Sequence, residues 1–377
     1  MKLCGLSKFV ALTSKDGGLR DVPNEDLPFK IDDLPKFVEK THVESRRIKC
    51  AQETVESLSV RVLNKLYDSV RIDPKDAGGM VLVTCHTGTG KDAALSIAKE
   101  CGIGGKVYPI DRACSGLPRG LDIASRIAQQ THKHVPVVIT EVMSDLINWE
   151  TPGGGGITGM SGKDDTRARG KASKIFGDGA GAVIVKPPGH SAEFDLLDAF
   201  TTDVDDPKGH LVLIPVEDSI AFDESVRSGI SHCINMPGKS GYSLLRLGPM
   251  LMVQSMTESL RRAYECQLIT HDRKPTHVVH HQANGGMIVG MESQIELQLP
   301  DSSIRIHNCI RNIGNVSAAS IPTAMSMVQD ELEPHSLIAM PTVGAGSPGF
   351  RKNALTRGCI LVVKRGEDER EQAEKES

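Results

Sequence analysis

The sequence predicts an α/β chain built on a largely parallel or mixed sheet. Short apolar runs at 80–83, 107–110 and 135–140 alternate with longer stretches whose apolar residues recur at helical spacing. The second half repeats the rhythm, with helical patterns at 247–264, 287–297 and 317–332 and strands at 277–280, 337–340 and 360–363. That repetition points to an architectural duplication carried by rhythm rather than by sequence identity. The 37 glycines set against 3% aromatics favour a core of small and branched side chains with many tight turns.

In chain order, 3–10 reads as a short strand and the polar stretch up to Pro28 as a loop. Asp32 and Asp33, ahead of Leu34, Phe37 and Val38, mark a helix over 31–45. Val55, Leu58, Val62 and Leu66 share one face of a helix over 50–70. Further helices are expected at 92–101 and 116–132, and a strand at 180–185 after Gly177-Asp178-Gly179. Residues 150–172 are rich in Gly, Asp, Arg and Lys and read as a mobile loop; 186–245 reads as irregular, with turn residues such as Pro187-Pro188-Gly189 and Pro237-Gly238. The expected division is an N-terminal half 1–188, a C-terminal half 189–365 and a charged, apolar-poor tail 366–377, expected to be disordered.

The formal net charge of -4 gives no sign of a nucleic-acid or membrane-surface binder. Nine cysteines, none spaced C-x-x-C, argue against a zinc site and a disulfide framework, so no metal is expected. No apolar stretch approaches a membrane span, and Met1 to Val10 is unlike a secretory leader, so a cytoplasmic location is expected.

Three segments carry chemistry. In Asp111-Arg112-Ala113-Cys114-Ser115-Gly116, a cysteine stands between a strand and a helix, where the helix dipole lowers a thiol pKa and the glycine admits a substrate. Alone, a free cysteine is more often a buried small hydrophobe. His280-His281-Gln282-Ala283-Asn284 follows a strand, and its groups suit proton transfer or stabilisation of an oxyanion; the plain alternative is a polar turn. Asn312-Ile313-Gly314-Asn315 suits a turn into a helix, where asparagine is common for structural reasons.

Taken together and in this order, the three segments resemble the β-ketoacyl-acyl-carrier-protein synthase III family of condensing enzymes. Phe176-Gly177-Asp178-Gly179-Ala180-Gly181-Ala182, the Gly344-Ala345-Gly346 loop and, faintly, Thr41-His42-Val43-Glu44-Ser45-Arg46-Arg47 resemble further family segments, so that the resemblance covers 1–365. It implies a thiolase fold, five layers α-β-α-β-α from two similar halves, acting as a homodimer. It implies Cys114 as the nucleophile that takes an acyl group from a coenzyme A or carrier-protein thioester. It also implies His281 and Asn315 as donors to the thioester oxygen of malonyl-acyl-carrier-protein during loss of carbon dioxide. Backbone N–H groups of Cys114 and of the Gly344, Ala345, Gly346 loop would form an oxyanion hole. Asn284 and Gly238 are expected along the pantetheine tunnel. No cofactor is implied beyond the coenzyme A or phosphopantetheine thioester as substrate.

Lys36, Lys40 and Gly90 depart from the family, and Met340-Pro341-Thr342-Val343 stands where the family has an acidic-apolar stretch before its last glycine loop. Lys36 and Lys40 stand where a tryptophan and an arginine hold adenine, which removes the stacking platform. Gly90 aligns near the phenylalanine that crosses the dimer and closes the acyl pocket. The alternative reading is therefore an acyltransferase of the same fold, moving an acyl group to an oxygen, nitrogen or carrier thiol in polyketide or other specialised biosynthesis. A hydroxymethylglutaryl-coenzyme A synthase-like enzyme would need a carboxylate beside the nucleophile, and none is identifiable from sequence. Thr87-Gly88-Thr89-Gly90-Lys91 imitates a P-loop, but Cys85 and Asp92 break the pattern. Arg167, Arg169, Lys171 and Lys174 form either a solvated face or a dock for an acidic carrier protein.

Overall fold

A computed structural model describes residues 3–85, 90–147, 149, 174–205, 212–220, 226–235, 240–300, 303–345 and 354–376. The strands are β1 (Gly5–Leu6), β2 (Val10–Ala11), β3 (Leu19–Pro23), β4 (Ser45–Lys49), β5 (Gly79–Val83), β6 (Lys106–Ile110), β7 (Val135–Val142), β8 (Asp178–Lys186), β9 (Phe194–Asp205), β10 (Val212–Ile220), β11 (Val226–Asn235), β12 (His277–Val278), β13 (Arg305–Ile306), β14 (Leu337–Ala345) and β15 (Ala354–Lys364). The helices are α1 (Leu34–Thr41), α2 (Val55–Val70), α3 (Gly90–Glu100), α4 (Gly116–Thr131), α5 (Ser240–Glu265), α6 (Gly285–Gln298), α7 (Ser320–Val328) and α8 (Glu367–Glu376).

The duplication is visible in strand pairing. In the first half β5 pairs parallel with β6 and β7, and β7 antiparallel with β8. In the second, β12 pairs parallel with β13 and β14, and β14 antiparallel with β15. The short β1 bridges β8 and β9 and so joins both sets into one continuous ladder. The division expected at 188/189 falls in the link between β8 and β9.

Side-chain alternation builds five layers. Val81 and Val83 of β5, with Val135, Val137 and Ile139 of β7, face a central core shared with Leu117, Leu121 and Ala124 of α4. Ile338 and Met340 of β14 and Ile360 and Val362 of β15 reach the same core from the other side, against Ile321, Ala324 and Met325 of α7. The intervening residues Met80, Leu82 and Val138 meet α2 and α3 on one outer face. Leu337, Ala339, Cys359 and Leu361 meet α5 and α6 on the other. Strands buried on both faces need continuous apolar runs, which is how β5 and β7 read in the sequence. The order is the α-β-α-β-α arrangement.

Local chemistry sets the helix ends. Thr54 and Ser57 form a reciprocal capping box at the start of α2, and Arg71 closes it in a left-handed conformation. Asp33 caps α1 through the Lys36 N–H.

Several expectations are corrected. The segment 3–10 is two short pieces, β1 and β2, rather than one strand. The stretch 186–245 holds three long strands, β9 to β11. On β9 the apolar positions are interspersed with Asp195, Asp198 and Asp203, which look like turn residues until their partners are known. Arg365, Ser259 and Arg112, all remote in sequence, satisfy them. The tail is not disordered: 367–376 forms α8. Its glutamates, lysine, arginine, glutamine and alanine are good helix formers. Glu369 accepts the Gly366 N–H at its start, and Arg370 pairs with Glu193 at 2.6 Å. The glycine run 153–156 and the basic residues Arg167, Arg169 and Lys171 lie outside the described residues.

Candidate active site

Cys114 sits in a 3-10 turn, Ala113–Ser115, between β6 and α4, with Ala113 in the left-handed region at φ 46°. Gly116 opens α4 against β5, and a Cβ there would come within 2.2 Å of Val83 Cγ1. Only glycine lets the helix start this close to the strand. The helix end was expected to lower the thiol pKa. Burial outweighs it and pushes Cys114 up to about 12, against a lowering from the Ser317 hydrogen bond and with a further rise from the Glu141 charge. The resting nucleophile is a thiol.

His281 follows β12, anchored by its N–H to Pro341 O at 3.0 Å. Its Nδ1 meets Ser320 Oγ at 2.7 Å. Burial pushes it down to about 3, with the neighbouring His280 lowering it further, so the imidazole is neutral. Gln282 holds this segment in place by donating to His280 O and His307 O and accepting the Cys309 N–H. Asn315 is buried and its backbone pairs with the segment ahead of β8: its N–H donates to Ile175 O at 2.7 Å, and it accepts the Gly177 N–H at 3.0 Å. Asn315 Oδ1 accepts the Ser317 N–H at 3.0 Å, which leaves its amide NH2 as the donor.

All three predicted residues meet at Ser317. Its Oγ lies 3.4 Å from Cys114 Sγ, its N–H binds Asn315, and its backbone hydrogen-bonds His281. Ser317, like Ala113, is left-handed, at φ 49°.

Gly344 lies against the nucleophile: a Cβ on it would be 3.1 Å from the backbone nitrogens of Cys114 and Ser115. Ala345 pairs with Leu355 on β15 and packs into the outer core. Gly346 and Gly238 lie outside the described residues. Asn284 is the N-cap of α6, its Oδ1 accepting the Gly286 N–H at 2.8 Å, so its acceptor oxygen is already engaged. Lys36 and Lys40 are exposed on α1, whose C-terminal end packs on the start of α6; the Lys40 carbonyl is near Gly286. Gly90 begins α3 with open space where a Cβ would stand. Among the described residues no three His, Cys, Asp or Glu side chains gather as metal ligands, and no helix is long and apolar enough to cross a membrane.

Sequence reading missed Ser317, Ser320, Cys85 and Glu141. Glu141 ends the apolar run of β7 fully buried, with its carboxylate on Cys85. Its one signal was a carboxylate one residue beyond an expected buried strand, 135–140. The carboxylate near the nucleophile that was not identifiable in the sequence is therefore present.

Known proteins agree with this architecture. The model of 3-oxoacyl-[acyl-carrier-protein (ACP)] synthase III matches residues 108–203, and the model of the C-terminal part of the same family matches 271–348. A β-ketoacyl-[acyl-carrier-protein] synthase III of Natranaerobius thermophilus is 25% identical over 353 residues, spanning 89% of this chain and 95% of its own. The crystal structure of 3-oxoacyl-[acyl-carrier-protein] synthase III from Aquifex aeolicus superposes with a TM-score of 0.67 at 22% identity, over 96% of this chain and 99% of that one. The priming β-ketosynthase of the R1128 polyketide pathway has the same fold, at a TM-score of 0.65 and 20% identity, over 97% of both chains. The two family segments hold Cys114 and the pair His281 and Asn315 respectively, in the order the structure brings together. The chain belongs to the β-ketoacyl-[acyl-carrier-protein] synthase III family of thiolase-fold condensing enzymes, an acyltransferase class.

Proposed function

We propose that Cys114 takes an acyl group from an acyl-coenzyme A or acyl-carrier-protein thioester and that the acyl-enzyme then condenses with malonyl-carrier-protein. The observation that carries the proposal is the convergence of Cys114, His281 and Asn315 on Ser317.

The steps follow from the groups present. Cys114 attacks the thioester carbon, and the oxyanion that forms is met by its own backbone N–H beside Gly344. Collapse expels the donor thiolate and leaves acyl-Cys114. Malonyl thioester then loses carbon dioxide, and negative charge collects on its thioester oxygen. A neutral His281 and the Asn315 amide NH2 are donors that stabilise that charge only as it develops. One such donor is worth roughly 3 kcal/mol. The enolate carbon attacks the acyl carbon, a carbon–carbon bond forms, and Cys114 leaves as a thiolate that takes a proton from solvent. Simple transfer to an oxygen or nitrogen acceptor has no use for a pair of neutral donors placed this way, which favours condensation over that alternative.

The same proposal includes a homodimer and a reducing, cytoplasmic setting, since a nucleophilic thiol works only where it stays reduced. Intact-protein mass spectrometry of wild type and Cys114→Ala, incubated with a panel of acyl thioesters and then malonyl-carrier-protein, tests it. The expected result is a mass gain on wild type alone, followed by a β-ketoacyl product and carbon dioxide. Loading without that product would favour the transferase; no loading by any donor would overturn the proposal.

A further inference from the structure

A buried carboxylate stands behind the nucleophile, and none of the steps above uses it. Glu141 lies near the end of β7, whose eight residues are all buried. Its Oε2 accepts the Cys85 backbone N–H at 2.9 Å, its Oε1 accepts the Cys85 thiol at 3.1 Å, and the Ala318 backbone adds another hydrogen bond. Cys85 Sγ is 3.4 Å from Ser317 Oγ, and Ser317 Oγ is 3.4 Å from Cys114 Sγ. A hydroxyl and a thiol each accept one hydrogen bond while donating another. The contacts therefore form an unbroken chain from nucleophile to carboxylate. The first half supplies both cysteines and Glu141; the second supplies the serine.

We propose that Glu141 receives the Cys114 thiol proton, through Ser317 Oγ and Cys85 Sγ, as Cys114 attacks a thioester. The inference rests on Cys114 being the acyl acceptor. While the bond from Cys114 Sγ to the acyl carbon forms, its proton moves to Ser317 Oγ, the serine proton moves to Cys85 Sγ, and the Cys85 proton moves to Glu141. When the bond between the acyl carbon and the donor sulfur breaks, the proton returns from Glu141 through Cys85 Sγ to Ser317 Oγ, which gives its own proton to the departing thiolate in place of the acylated Cys114. The products are acyl-Cys114, a free donor thiol and Glu141 again as carboxylate. One negative charge is passed along and none is created in the buried site, which avoids the cost of ionising a thiol there.

The surroundings support this direction. Burial raises Glu141 to about 8, within the range where a proton acceptor is effective near neutrality. His281, held neutral, is committed to donating and is a poor store for the proton. Among the described residues, the titratable groups bearing on Glu141 are Cys85 after β5, Asp111 after β6 and Cys114 before α4, none of them a cation; from the second half the Ala318 backbone bonds Glu141, and Ser317 reaches Cys85. Glu141 touches none of the reacting atoms. It is a positioning residue for a proton.

The test follows Cys114 in wild type, Glu141→Gln, Ser317→Ala and Cys85→Ala by intact mass and peptide mapping, across about pH 6 to 9.5. Two rates are read: alkylation by iodoacetamide and loading by the acyl thioester panel. In wild type both should rise and level off near pH 8. In Glu141→Gln the levelling should disappear and the rates at neutral pH should fall roughly tenfold or more. Ser317→Ala, which breaks the path with the carboxylate in place, should behave in the same way, and so should Cys85→Ala. Wild-type profiles in these variants would overturn the inference. If Glu141→Gln does not fold, the other two variants decide it. A wild type that alkylates with this profile yet accepts no thioester would sink the proposed function and leave the relay standing.

Discussion

Ala113 and Ser317 occupy equivalent places in the two halves. Each is the first residue of a 3-10 turn, each has a left-handed backbone, φ 46° and 49°, and each turn leads directly into a helix of the central layer. One turn presents the Cys114 thiol. The other presents the Ser317 hydroxyl that contacts it. The site is thus assembled where the duplicated halves meet, and neither half contains it alone.

That division separates the two half-reactions. His281→Ala and Asn315→Ala should still load acyl groups on Cys114, because their donors act on the malonyl oxygen. Condensation should fall by about 10²–10³ in each. Ser320→Ala removes the 2.7 Å contact that aims the imidazole and the 3.3 Å bond from the Gln282 N–H but leaves the imidazole itself, so its loss should be smaller. Loading by mass and product formation by chromatography, measured on the same samples, check both.

Gly344→Ala should act in the opposite way. Its new Cβ would stand 2.7 Å from Thr356 Oγ1 and 3.1 Å from Cys114 N, so the nucleophile turn must shift. Loading should slow by about 10²-fold, the scale of one displaced oxyanion donor. Stability should drop by about 1–3 kcal/mol. Single-turnover acylation and urea unfolding read the two effects.

Glu141 predicts a pH dependence of stability with an unusual sign. Its carboxyl is raised in the folded state from 4.5 to about 8, so between those values the folded protein binds more protons than the unfolded one. Stability contributed by the protonated form is complete at low pH and is lost as pH rises through that window. Asp178, raised from 3.8 to about 6 by burial, adds a loss of the same sign at lower pH. Glu141→Gln removes the first dependence. The stability difference between variant and wild type should therefore shift in favour of the variant by a few kcal/mol from about pH 5 to pH 8. Denaturant melts at several pH values check this; a pH-independent difference would show that the carboxyl does not titrate in that range.

Deleting 367–377 should leave acyl loading unchanged. The helix α8 is far from the site chemistry in its contacts: Arg370 pairs with Glu193 and Glu369 faces His335. Partly exposed ion pairs of this kind contribute about 1 kcal/mol or less. A larger fall in thermal stability would mean that α8 covers more of the second half than these pairs indicate.

By itself the sequence determined the α/β alternation, the duplicated rhythm and the three segments bearing Cys114, His281 and Asn315. These are local signals: buried strands are continuous apolar runs, helices repeat at 3.6 residues, and a turn between strand and helix is marked by its glycines and polar residues. The strands β9 to β11, the ordered tail and the buried path from Cys114 to Glu141 were decided by tertiary structure alone. Asp195 on β9 looks like a turn residue until Arg365 neutralises it, and Glu141 looks like the polar end of a strand until Cys85 closes over it. Ser317 contacts Cys85 across 232 residues of chain. A pattern read along the chain reports which groups are apolar and where turns fall. It carries no information about which polar group will be buried beside which, and that juxtaposition sets the protonation state of every group in the site.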